Sequence, residues 1–121
     1  MLFRSDLEDG PWPLAGRRFD LVVVTNYLWR PLLPAIVAAV APAGRLVYET
    51  FAAGHGTLGR PTRADYLLQP AELLAVCAGL QVRGFEQGRL EAPPRIVQRV
   101  AADRDPAAVH QPLPGSVTVA G

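Results

Sequence analysis

The sequence predicts an α/β fold whose parallel strands end in an antiparallel C-terminal hairpin, and three observations carry that prediction. An unbroken apolar run occupies residues 19–25. A helically spaced segment separates it from a second β-rich run at residues 45–50. Two late strand segments, 80–86 and 95–102, are joined by a connection too short for another helix.

The first run, Phe19-Asp20-Leu21-Val22-Val23-Val24-Thr25, has a β-branched centre without polar alternation, which suits a strand buried on both faces. Over residues 31–41, Leu33, Ile36, Val37 and Val40 recur at helical intervals, with Pro31 and Pro34 near the first turn. Pro42-Ala43-Gly44 reads as a turn, and Arg45-Leu46-Val47-Tyr48-Glu49-Thr50 as the next strand. A strand–helix–strand crossover makes the two strands parallel. Residues 51–69, rich in Gly, Thr and Arg, are too long for a plain link and read as a functional loop rather than a disordered one. A second helix is expected over 70–79, opened by Pro70 and Glu72, apolar at Leu73, Leu74, Val76 and Cys77, and stopped by Gly79. Beyond Asp103 no period persists, so the expected division is a domain over 1–102 and a flexible tail over 103–121.

A chain of 121 residues holds one domain at most. Its 12 basic and 11 acidic residues leave a formal net charge of +1, too little for a field that draws a phosphate backbone, so no nucleic-acid partner is expected. Cys77 has no second cysteine to pair with, and with only His55 and His110 beside it no zinc ligand set can be assembled, so no metal is expected and the location reads as cytoplasmic. No run approaches the roughly 20 apolar residues of a membrane span, and acidic residues arrive too early for a signal peptide.

Asp6-Leu7-Glu8 with Pro11-Trp12-Pro13-Leu14, then Phe19-Asp20-Leu21-Val22-Val23-Val24, then Pro42-Ala43-Gly44-Arg45-Leu46, then Pro70-Ala71-Glu72-Leu73-Leu74 with Gly79-Leu80 follow one another in an order that resembles the carboxyl-terminal half of class I S-adenosylmethionine-dependent methyltransferases. The resemblance runs over about residues 5–102 and implies a partial Rossmann-like sheet, S-adenosylmethionine as cofactor and a small-molecule methyl acceptor. Ala43 stands where the family usually has glycine. The family's first strand, its glycine-rich turn and its ribose-binding acid have no counterpart, so the chain reads as a truncated form of a longer domain. The valine-rich strand would then be an edge, open to a homo-oligomer or to a partner chain that completes a non-catalytic interaction module.

By the same resemblance Asp6 and Leu7 meet the adenine; the other reading is a solvated acidic turn. Thr25, Asn26 and Tyr27 follow the carboxyl end of a central strand, where open α/β sheets place ligands. Asn26 there either bonds the cofactor or starts the helix, and Tyr27 either stacks on a planar group or packs inside. Glu49 is the nearest carboxylate to orient or deprotonate an acceptor, and His55 has the intrinsic chemistry of a proton acceptor; both also suit bland roles at a strand end and in a loop. Arg60, Arg63, Asp65 and Tyr66 form either an acceptor-binding lid that forks an anion or an ordinary surface loop.

Overall fold

The structure, a computed structural model, describes residues 2–4, 16–106 and 116–120. Six strands form one sheet: β1 (Leu2–Arg4), β2 (Phe19–Thr25), β3 (Val40–Phe51), β4 (Gln81–Leu90), β5 (Arg95–Asp103) and β6 (Ser116–Ala120). Their order is β1-β6-β2-β3-β5-β4. β1, β6, β2 and β3 run parallel, while β5 is antiparallel to both β3 and β4. The fold is therefore α/β with a mixed sheet, and the parallel β2–β3 pair and the β4–β5 hairpin are those the sequence predicts.

Two short helices, α1 (Leu33–Ala38) and α2 (Glu72–Val76), cover one face. Ile36 from α1 and Leu73 from α2 join Val22, Val24, Leu46, Tyr48, Val100 and Val117 in the core. The alternating residues of β2 face the other way, and Leu21 stays 37% exposed. The expectation that β2 is buried on both faces is thus corrected: it is apolar on both, but only the Val22–Val24 side lies under the helices.

The largest correction concerns the residues past 102. β6 pairs with β2 in register, Val22↔Val117 through Thr25↔Ala120, and Val117 and Val119 are fully buried. β2 is consequently an interior strand, and the open edge expected there does not exist. Arg104 is also integrated, because its guanidinium donates to the Val37 and Val40 carbonyls and its backbone N–H to Gly44. The proposed 103–121 tail therefore contains residues of the sheet itself; the remainder of that stretch lies outside the described residues. The outer strand β4 is long and solvent-facing, but carries Arg83, Glu86 and Arg89 and a register shift at Val82/Gly84, devices that discourage further pairing.

Both helices are shorter than their spacing suggests. The 31–41 segment opens with a 3-10 turn, Arg30–Leu32, before α1, and β3 already begins at Val40. The β2–β3 register jumps from Phe19↔Val40 to Leu21↔Arg45, so Pro42-Ala43-Gly44 protrudes as a bulge within β3 instead of ending it. Ahead of α2, Ala71 takes a left-handed φ of 60°, and its N–H is held by the Gln87 side chain, which excludes Pro70 and Ala71 from the helix. The hairpin is tighter than expected: pairing continues to Leu90↔Arg95.

The bulge yields opposite outcomes at adjacent positions. A Cβ on Gly44 would lie 2.8 Å from the Ala41 carbonyl oxygen and 3.0 Å from that of Asp20, so Gly44→Ala is expected to cost about 1–3 kcal/mol. Ala43 holds φ at 64° and is exposed, so Ala43→Gly should raise stability by about 0.5–1 kcal/mol as strain is relieved. Urea unfolding of both variants reads the two signs. Val119→Asp puts an unpaired carboxylate in a fully buried site and is expected to abolish cooperative thermal unfolding, which circular dichroism would record.

Candidate functional site

The carboxyl ends of β2 and β3 lie side by side, with Thr25 opposite Glu49. Asn26 then bends away in a left-handed conformation, φ 53°, while its N–H donates to the Glu49 carbonyl at 2.9 Å. Short polar side chains tolerate that conformation best, which accounts for Asn at this corner. Tyr27 turns inward instead. It is 2% exposed, and its carbonyl accepts a 2.6 Å bond from the Tyr48 hydroxyl, whose own pKa is raised chiefly by burial. The stacking role offered for Tyr27 is corrected to a core role. Thr25 is half-buried and lies outside the cleft described below.

β3 delivers Phe51 and then the 52–71 connection, which is ordered by specific ties. A parallel bridge joins Ala52 to Leu68, and 3-10 turns form at His55–Thr57 and Ala64–Tyr66. Arg30 donates to the Asp65 and Leu67 carbonyls and forks onto Glu72 at 2.8 and 2.9 Å. Gln98, fully buried on β5, accepts from the Leu73 N–H and donates to the Gln69 carbonyl. The long segment is thus neither disordered nor loose.

His55 is the centre of this arrangement. Its ring stacks on Phe51 with centroids 4.3 Å apart, and only 4% of the residue is exposed. Nδ1 accepts the Ile96 N–H at 3.2 Å, so the proton of the neutral ring sits on Nε2, which donates to the Arg60 carbonyl at 2.9 Å. With both nitrogens engaged by backbone, His55 is a structural tie, and the proton-acceptor role considered for it is corrected.

Around these groups lies a cleft of about 520 Å³, bounded by Asn26, Glu49, Phe51, His55, Leu58, Gly59, Arg60, Pro93, Pro94 and Arg95. Four of the sequence candidates meet there: Asn26, Glu49, His55 and Arg60. Arg63 and Tyr66 do not line it. Arg63 pairs with Asp65 at 2.9 Å, both more than 70% exposed, and sits over the Tyr66 ring, so that part of the lid is a surface loop. Asp6 and Leu7 lie outside the described residues. The residues that sequence reasoning missed are Pro93, Pro94 and Arg95, which the hairpin turn folds back beside the end of β3, where Phe51 registers with Val97.

Charge in the cleft is unequal. Glu49 is held by Arg99 at 3.3 Å, and Arg99 also binds Glu86 at 2.9 Å. Arg60 and Arg95 have no carboxylate partner among the described residues, and Arg95 donates only to the Glu91 and Pro93 carbonyls. Cys77 is remote from all of this, in the core, where burial pushes its thiol up to about 11. Among the described residues no cluster of His, Cys, Asp or Glu is arranged to hold a metal ion, and no helix is long and apolar enough to cross a membrane. Compared with known proteins, the chain matches no family model and no curated sequence.

The ties make two tests. His55→Ala strands the Ile96 N–H and the Arg60 carbonyl, and is expected to destabilise the fold by about 2–4 kcal/mol in denaturant titration, whereas His55→Gln should recover part of the loss. The Arg30 guanidinium, chiefly through its hydrogen bond, holds the Glu72 carboxyl below the usual range. A depressed folded-state pKa gives stability that is present at neutral pH and lost as pH falls through and below the ordinary carboxylate range. Melting temperature should therefore fall less steeply with acidification in Glu72→Gln, which starts lower at pH 7.

Proposed function

We propose that the chain is a class I S-adenosylmethionine-dependent methyltransferase domain acting on a small-molecule acceptor. The observation that carries this reading is the cleft at the carboxyl ends of adjacent parallel strands, β2 and β3, the position where open α/β sheets bind ligands. The order of motifs in the sequence supports it. So does β6, which lies along β2 on the flank that the resemblance assigns to the family's first strand.

The groups at the strand tips suit a donor of this kind. Thr25 and Ala120 are level in the register, and the Asn26 side-chain amide has no hydrogen-bond partner among the described residues. Asn26, which lines the cleft, is the residue that would hold the cofactor. When bound, S-adenosylmethionine supplies an electrophilic methyl group that leaves a neutral thioether behind. The protein's contribution is positional. Glu49, already engaged by Arg99, accepts a hydrogen bond from the acceptor's hydroxyl or amine and orients it rather than taking its proton. Phe51, Leu58, Pro93 and Pro94 exclude water from one side of the cleft. β6 lies along the β2 edge on which the alternative reading, a partner-completed interaction module, is based.

Titration of S-adenosylhomocysteine by calorimetry tests the reading. One-to-one binding at micromolar affinity with a rise of several degrees in melting temperature is expected, and Asn26→Gly, which removes the amide but keeps the left-handed corner, should weaken it about tenfold without lowering the melting temperature of the free protein. Absence of heat together with an unchanged melting temperature would overturn it.

A further inference from the structure

Arg60 and Arg95 belong to segments remote in sequence, yet both line the cleft, and one side chain fixes the two segments together. His55 receives the Ile96 N–H, one residue past Arg95, and donates to the carbonyl of Arg60 itself. A neutral, buried imidazole thus holds two guanidinium-bearing backbones at the rim of one cavity. The cleft's lining includes one carboxylate, Glu49, which is already bonded to Arg99. The remaining wall includes Phe51, Leu58, Pro93 and Pro94, which suits an apolar body.

We propose that this cleft is a subsite for a small organic oxyanion, a carboxylate or phosphate carried on an apolar, ring-sized body. Arg60 and Arg95 bind its oxygens, and the hydroxyl or amine at its other end is directed toward Glu49. Guanidinium forks match either oxyanion, and two such cations are worth most where hydrophobic walls reduce solvent screening. The assignment of this anion as the methyl acceptor rests on the methyltransferase reading; the anion site itself does not. His55 is a positioning residue for both arginines.

The probes are 4-hydroxybenzoate, phenyl phosphate and the neutral 4-hydroxybenzamide, each titrated into the ¹⁵N-labelled full chain without cofactor and followed by amide chemical shifts. Saturable shifts at Asn26, Arg60 and Ile96 are expected with at least one anion, and the neutral amide should bind at least about tenfold more weakly. The tighter of the two anions distinguishes carboxylate from phosphate. Arg60→Gln and Arg95→Gln should each weaken the anion about tenfold, and Arg95→Lys should recover part of the loss. Arg63→Gln, outside the cleft, should bind like the parent chain. The Arg60 side chain makes no bond among the described residues, so Arg60→Gln does not endanger folding. The proposal is overturned if no probe gives saturable shifts, if the amide binds as tightly as the anions, or if Arg63→Gln is as damaging as Arg60→Gln. Anion binding without S-adenosylhomocysteine binding would keep the subsite and remove methyl transfer, and the reverse would remove the subsite alone.

Discussion

The register between β2 and β3 is the constraint on which the other features depend. Val22 opposite Leu46 and Val24 opposite Tyr48 place four side chains under the helices, and all four are fully buried. A slip of β2 by one residue would turn Val22 and Val24 to the open face and bring Leu21 and Val23 beneath α1 and α2. It would also separate Thr25 from Glu49, and with them the corner at Asn26 whose N–H closes on the Glu49 carbonyl. Core packing and the position of the cleft are therefore consequences of the same alignment.

Polar side chains in the interior serve to hold backbone in place. Gln98 fastens the start of α2 to β5, and His55 fastens the hairpin to the connection that carries Arg60. Each satisfies a donor and an acceptor that would otherwise be buried without partners, which is costly. Such ties explain how a glycine-containing connection of this length keeps a defined course. Its outer portion, around Arg63 and Asp65, remains on the surface.

Much of the strand framework was legible because β-branched runs and turn residues are local signals: residues 19–25, 45–50 and the late hairpin all fall where the pattern places them. Helix ends were less legible, since Ala71 adopts its left-handed backbone under the influence of Gln87, a residue from another strand. The two faces of β2 could not be told apart, because Leu21 and Val23 are as apolar as Val22 and Val24. In the site, Asn26 and Glu49 follow from strand ends. Arg95 does not, because its proximity to Arg60 is created by tertiary pairing. Nor does the role of His55, whose partner Ile96 is 41 residues away. β6 had a usable signal in the alternation of Val117 and Val119, but its shortness and its Pro/Gly surroundings masked it.

The place of β6 between β1 and β2 has a bearing on how the polypeptide is made. Synthesis runs from the amino end, so every other described strand emerges before the segment that fills the gap beside the valine ribbon. Until residue 116 clears the ribosome, that ribbon presents an unpaired row of backbone donors and acceptors, a template for pairing with a neighbouring nascent chain. Vulnerability to misassembly is thus concentrated in the interval between the emergence of the valine ribbon and that of β6.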